Sequence, residues 1–188
     1  MSEPSLPEKV VAIDRELRDA RIPHAFGGAL ALAYYAEPRA TIDIDLNVFV
    51  PATRIDEVNA ALTPIGVAPL ESDDDRLALE RDGQCRLWWG RTPVDLFFSY
   101  DEVHDAMREG ARRVPFGDHE VEVLGPEHLV VCKAWFNRPK DWMDIEQVLV
   151  ASEHFDSGET KRWLQRLVGD DDRRKRRFDM LVEELRGP

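Results

Sequence analysis

Gly27-Gly28-Ala29-Leu30 opens, and Thr41-Ile42-Asp43-Ile44-Asp45 closes, the stretch on which the reading of this chain turns. The glycines end a short apolar run, His24-Ala25-Phe26, that reads as a buried strand. Ala29 to Ala36 follows, apolar nearly all round, which is the pattern of a buried helix. Glu37-Pro38-Arg39 is a turn. From Thr41 to Val50 the period changes to two: Ile42, Ile44, Leu46, Val48 and Val50 fall on one face, and Asp43, Asp45, Asn47 and Phe49 on the other. In such a strand the Asp43 and Asp45 carboxylates leave the same face, with Cβ atoms roughly 6–7 Å apart. Like charges that close need a neutraliser, and Asp is a poor strand former. The pair therefore suits a hard divalent cation, Mg²⁺ or Mn²⁺ in its place; the competing reading is an edge strand with a polar outer face. Gly27 and Gly28 let backbone approach a ligand closely, and a helix start behind them offers free N–H groups to phosphate.

Outward from this stretch, Ser5-Leu6-Pro7-Glu8 reads as a capping box ahead of a helix carrying Val10, Ile13 and Leu17. A helix over 54–62 follows the strand. Val67–Leu70, Leu77–Leu79, Cys85–Trp89 and Val94–Ser99 read as a strand meander with acidic or Gly-containing turns. Asp95 interrupts the apolar Val94-Asp-Leu-Phe-Phe, where a charge needs a partner, and a neighbouring antiparallel strand would put it beside Asp43 and Asp45. A helix from about 102 to Gly110 and two short strands around Phe116-Gly117-Asp118 complete this part.

After Gly125-Pro126 the pattern is helical throughout: 129–136, 140–151, 160–168 and 173–185. The composition shift places a boundary there, with a mixed part at 1–125 and an all-helical part at 126–188. Lys133 lies in Leu129-Val-Val-Cys-Lys-Ala-Trp-Phe and wants an anion: a phosphate, or Asp141 or Asp144, which share a helical face. Arg39, just before the carboxylates, suits a phosphate, Asp43 or solvent. The basic run Arg173-Arg174-Lys175-Arg176-Arg177 reads as a solvated helix face balanced by Asp170–Asp172, in preference to an RNA-binding patch.

The 188 residues carry a net charge of −12, which argues against a protein that coats nucleic acid through its phosphates. The clusters 71–75 and 170–172 read as solvated loops. Two cysteines, Cys85 and Cys132, far apart in apolar runs, make neither a metal spacing nor a disulfide framework, as expected of a cytoplasmic protein. The start has no secretory pattern, and no apolar run approaches the ~20 residues of a membrane span. The histidines show no ligand spacing, and neither a Walker A nor a Rossmann glycine pattern is present.

Gly27-Gly28, the helix, Pro38-Arg39-Ala40-Thr41 and Asp43-Ile44-Asp45 together resemble the nucleotidyltransferase superfamily, whose fold is that of DNA polymerase beta. They are most similar to its AbiEii-type branch, found as toxins in bacterial toxin–antitoxin pairs, and Lys133…Arg138-x-Lys140-Asp141-x-x-Asp144 resembles the same branch. The resemblance implies an α+β fold: a mixed, mostly antiparallel sheet flanked by helices, then a C-terminal helical bundle packed on it. It implies a metal triad of Asp43, Asp45 and Asp95, with Lys133 and Asp141 also catalytic. Gly27, Gly28, Arg39, Thr41, Lys133 and Arg138 would bind nucleotide. The implied substrate is an NTP, with the NMP moved to a hydroxyl of an RNA (a tRNA 3′ end) or of a protein, and an antitoxin protein as partner. A small-molecule hydroxyl, as in antibiotic-modifying members, is also open. One departure stands out: Ala29 follows Gly28 where the superfamily usually has a serine whose hydroxyl touches phosphate. The alternative function is a non-catalytic nucleotide- or partner-binding member of the fold with a regulatory role.

Overall fold

A computed structural model gives the fold and describes residues 3–187. The chain forms two compact units. One holds the residues up to Gly27 together with Ala40–Val123; the other holds Gly28–Arg39 and the residues from Leu124 onward.

The first unit is built on a seven-stranded sheet. Its strands are β1 (His24–Phe26), β2 (Ile44–Val48), β3 (Val67–Ala68), β4 (Gln84–Trp89), β5 (Thr92–Phe98), β6 (Arg112–Phe116) and β7 (His119–Val123), in the spatial order β3-β4-β5-β2-β1-β7-β6. Four neighbouring pairs are antiparallel, and β2–β5 and β1–β7 are parallel. The sheet is thus mixed and mostly antiparallel, as expected. Alternation drives it: Ile44, Leu46, Val48, Val94, Leu96 and Phe98 are fully buried on one face. Helix α1 (Leu6–Asp19) contributes Val10, Ile13 and Leu17 to the same core. Its start is the expected capping box, with the Ser5 N–H donating to Glu8 at 2.7 Å. Lys9 is buried as well, its Nζ donating to Glu3, the Trp89 carbonyl and the Thr92 hydroxyl at 2.6–2.9 Å. A buried ammonium is tolerable because all three of its donors are used.

Three local expectations are corrected here. Residues 77–79 are not a strand but lie in α4 (Asp73–Asp82). The Ser72 hydroxyl caps this helix by accepting the Asp75 N–H, Asp73, Asp74 and Asp75 lie at the positive end of its dipole, and Gly83 closes it with φ +66°. The acidic cluster is therefore a helix start rather than a loop. Second, β2 is shorter than the run 41–50. The Thr41 hydroxyl accepts the Asp43 N–H at 3.2 Å and turns the chain, so Ile42 is 73% exposed and the alternation begins only at Ile44. At the other end Phe49 and Val50 are both buried, which alternation forbids. Third, β5 runs parallel to β2, not antiparallel. The remaining helices of the unit are α3 (Ile55–Leu62), preceded by a 3-10 turn at Ala52–Arg54, and α5 (Glu102–Glu109), capped by Asp101.

The second unit is helical: α2 (Gly28–Leu32), α6 (Pro126–Phe136), α7 (Pro139–Ala151), α8 (Ser157–Val168) and α9 (Arg173–Arg186). The segment Gly28–Arg39, read with the mixed part from the sequence, packs in this unit because α2 is apolar and lies against α6. α2 is shorter than the run 29–36, since Tyr34 and Tyr35 bond three residues back and tighten the chain out of the α-helix. Helix α6 ends at Asn137 with φ +57°, and Pro139 starts α7 two residues later. Leu129, Val130, Trp142, Ile145, Val148, Leu164 and Phe178 form the core. The basic run opens α9 and is locally balanced: Asp172 caps the helix and holds Arg174 at 2.9 Å, and Lys175 pairs with Asp179 at 2.8 Å. Among the described residues no helix is long and apolar enough to cross a membrane.

Candidate active site

The parallel register of β2 and β5 sets Asp45 directly beside Asp95. The antiparallel register of β4 and β5 sets Arg86 on the other side of Asp95. On the far side of β2, the Gly27 N–H donates to the Asp45 carbonyl at 2.9 Å and extends the β1–β2 ladder by one residue. The sheet therefore carries one row, Arg86, Asp95, Asp45, Gly27, across four neighbouring strands. Because alternation points Val94 and Leu96 into the core, Asp95 stands on the opposite, polar face with Arg86. Asp43 lies just ahead of β2, two residues before Asp45.

Within the row the Arg86–Asp95 pair is bidentate, with Nε on Oδ1 at 2.6 Å and Nη2 on Oδ2 at 2.8 Å. Hydrogen bonding to Asp95 raises the Arg86 pKa, and the charges of Asp95, Asp43 and Asp45 add to it. One guanidinium thus serves three carboxylates. The row fits a divalent cation in its donor chemistry: oxygen ligands only, and a clustered negative charge that already draws a cation to itself. Its assembly differs from a finished metal site. Among the described residues no three His, Cys, Asp or Glu side chains gather closely enough to hold a metal, and both oxygens of Asp95 are turned to Arg86. Arg86 did not enter the sequence reading, although the signal was present. Gly90 and Arg91 form a two-residue turn with Gly90 at φ +61°, and a hairpin of that length fixes the register that sets Arg86 opposite Asp95.

The other candidates fall in separate places. The Thr41 hydroxyl is engaged with the Asp43 backbone, and the Gly27 N–H is spent on the ladder. In the second unit, Gly28 has φ +52° at the start of α2, a conformation that favours glycine. Lys133 donates to Asp144 at 2.6 Å, and both side chains are nearly fully buried. Arg39 also reaches Asp144, with Nε at 3.3 Å and Nη2 at 3.2 Å; it does not pair with Asp43. Asp144 thus holds two cations. Asp141, the N3 residue of α7, accepts from the Arg138 N–H at 3.1 Å, from its Nε at 2.7 Å and from its Nη2 at 3.1 Å. That is a helix cap, and it leaves Lys133 to Asp144 alone of the two carboxylates on that face.

A mixed sheet of this kind is shared with solved nucleotidyltransferases. The solution structure of the antibiotic-resistance factor ANT(2'')-Ia matches with a TM-score of 0.63 at 16% identity, over 97% of this chain and 98% of that one. Lincomycin-bound lincosamide antibiotic adenylyltransferase LnuA matches with a TM-score of 0.52 at 10% identity, over 78% of this chain and 98% of that one. An antigenic nucleotidyltransferase-like protein from Paracoccidioides brasiliensis gives 0.51 at 18% identity, over 95% and 92%. At such identities the likeness is one of fold. No curated protein sequence matches the chain. The family comes from the sequence pattern as a whole: residues 14–186 match the family described as nucleotidyl transferase AbiEii toxin, type IV TA system. The chain belongs to that AbiEii nucleotidyltransferase family.

Proposed function

We propose that the protein moves a nucleoside monophosphate from an NTP to a hydroxyl of an RNA acceptor, a tRNA 3′ end, in a cation-dependent reaction, as the toxin of a toxin–antitoxin pair. The observation that carries this reading is the Asp95–Asp45 row with Asp43 beside it, on the polar face of the sheet of a chain in the AbiEii family. Asp43, Asp45 and Asp95 would hold Mg²⁺, or Mn²⁺ in its place, with Asp95 released from Arg86. Such a cation, when bound, supplies positive charge to the phosphate oxygens and acidifies the acceptor hydroxyl.

The acceptor oxygen attacks the α-phosphorus, the bond from that phosphorus to the β-bridging oxygen breaks, and pyrophosphate leaves. The acceptor proton passes to a carboxylate oxygen of Asp95, the role the family resemblance favours for it. In the second unit, Lys133 and Arg39 outnumber Asp144 by one positive charge, and we take this excess, with backbone N–H groups at Gly28, to favour binding of the triphosphate. Arg138 and Asp141 satisfy one another and keep the start of α7 in place. A second reading, a non-catalytic regulator that binds nucleotide or a partner, is favoured by one observation: Asp95 is fully engaged by Arg86.

Incubating the protein with each labelled NTP, Mg²⁺ and separate tRNA, protein-lysate and small-molecule hydroxyl pools separates these. Label on tRNA supports the proposal. Label on protein or on a small molecule moves the acceptor. NTP binding without any transfer selects the regulator, and neither binding nor transfer refutes both.

A further inference from the structure

We propose that Arg86 is a built-in counter-cation for the aspartate row: it holds Asp95 in the metal-free protein and must leave before a divalent cation can bind. This rests on the metal reading of the row given above. Four features support it. The β4–β5 register fixes Arg86 opposite Asp95, so the pairing is imposed by the backbone rather than by a chance rotamer. Both guanidinium bonds are short, and together they occupy both carboxylate oxygens, the atoms a cation would need. With the clasp closed as it is here, no three carboxylates among the described residues gather closely enough to hold a metal.

The fourth feature is an asymmetry of exposure. The Arg86 side chain is 49% exposed and that of Asp95 only 19%. The arginine is therefore the partner that can move, since its charge goes to water rather than into the protein. It also has a second resting place. Trp88, two residues along β4 and on the same face, is exposed, and the guanidinium already lies 5.9 Å from its ring centre. A released guanidinium can settle on that ring face. Arg86 thus acts as a positioning residue: it touches Asp95, and through Asp95 it sets the affinity of the row for a cation. A chain without it would leave Asp95 without its guanidinium partner, beside the charges of Asp43 and Asp45, whenever the cation is absent.

The test is a Mn²⁺ titration of the full chain without nucleotide, followed by electron paramagnetic resonance of the free ion, on the wild type, Arg86→Ala, Arg86→Lys and Arg86→Ala combined with Asp95→Asn. Arg86→Ala is expected to bind Mn²⁺ at least tenfold more tightly than wild type. Arg86→Lys, which keeps the charge but cannot clasp both oxygens, is expected to gain less. The double variant must lose the gain, which separates the row from other acidic surfaces of a chain with net charge −12. In melting experiments, Mg²⁺ should raise the Tm of Arg86→Ala more than that of wild type, a cation-specific rescue that a merely structural arginine would not produce. Equal or weaker Mn²⁺ binding by Arg86→Ala overturns the inference while leaving the metal reading in place. Absence of saturable binding in every variant overturns both.

Discussion

The two units each carry a cluster of ion pairs made from the same residue types, and they differ in burial. In the first unit, Arg86 reaches across the row to Asp95 with half its side chain in solvent. In the second, Lys133 and Asp144 are enclosed, with side chains 5% and 6% exposed. An exposed guanidinium can exchange one carboxylate for another partner at little cost, because water takes up the charge. An enclosed pair cannot, because Lys133 without Asp144 would be a charge stranded in a low-dielectric interior. The Arg86–Asp95 pair is therefore free to change partners, whereas the buried Lys133–Asp144 pair is not. Loading and release of a cation, as proposed for the aspartate row, would require such an exchange.

The largest expected break in this contrast is Asp45→Asn. Transfer should fall on the order of 10²–10³-fold, equivalent to about 3–4 kcal/mol of lost transition-state stabilisation, with the circular-dichroism spectrum and Tm unchanged. Loss of fold together with loss of transfer would instead make Asp45 a structural residue. In the second unit the ordering reverses: Asp144→Ala should cost about 3 kcal/mol or more in denaturant unfolding, because Lys133 is left buried without a counter-ion. Lys133→Met should cost clearly less, since Asp144 keeps Arg39. If the methionine variant proved the more destabilised of the two, Lys133 would not depend on Asp144. Next in size, Asp141→Ala removes the cap of α7 and should cost about 1–2 kcal/mol in the same assay. A loss of transfer far beyond that, at unchanged stability, would support the catalytic role expected of Asp141 from the family resemblance.

Smaller effects come from groups outside both clusters. Burial pushes the pKa of His104 in the first unit and of His128 in the second below the ordinary histidine range. The nitrogens of His128 have no hydrogen-bond partner; Nε2 lies 3.3 Å from Glu159 without the geometry of a bond. Both rings therefore hold a proton less readily in the fold than in the unfolded chain. Stability is expected to hold above the unfolded pKa of about 6.5 and to decline as pH falls through it, read as a lower denaturation midpoint at pH 5 than at pH 7. A midpoint that rises on acidification would contradict this. Last, burial, with help from the charges of Asp95 and Asp75, pushes the Cys85 thiol up to about 12. It should stay unmodified by a thiol reagent at pH 8 until the protein is denatured, and Cys85→Ser should leave the count of fast-reacting thiols unchanged.

The sheet was largely legible in the sequence because its strands alternate cleanly: β1, β2, β4 and β5 follow from runs such as Ile44-Asp-Leu-Asn-Val, and the family follows from the spacing of Gly27-Gly28 and Asp43-Ile44-Asp45. The failures have local physical causes. Residues 77–79, Leu-Ala-Leu, form a short apolar run that by itself reads as a strand, and only the Ser72 cap and the Gly83 stop betray a helix. The Thr41 side chain bonds locally and keeps Ile42 and Asp43 out of the ladder, a competition between side chain and backbone that periodicity does not register. Whether a carboxylate serves as ligand, cap or counter-ion is hardest to read. Asp141 and Asp144 are equivalent by spacing, yet one caps a helix and the other holds Lys133 and Arg39, because Asp141 falls at N3 of α7 and Asp144 three residues further in. Arg86 was within reach, since the two-residue turn at Gly90-Arg91 fixes its partner.

The most direct test is a crystal of the protein grown with Mn²⁺ and an NTP and read by anomalous scattering. The expected result is a cation peak ligated by oxygens of Asp43, Asp45 and Asp95 at close to the 2.0–2.1 Å of a Mg²⁺-type site, with Arg86 turned away from Asp95. A nucleotide bound with no cation at these aspartates, and Arg86 still clasping Asp95, would contradict it.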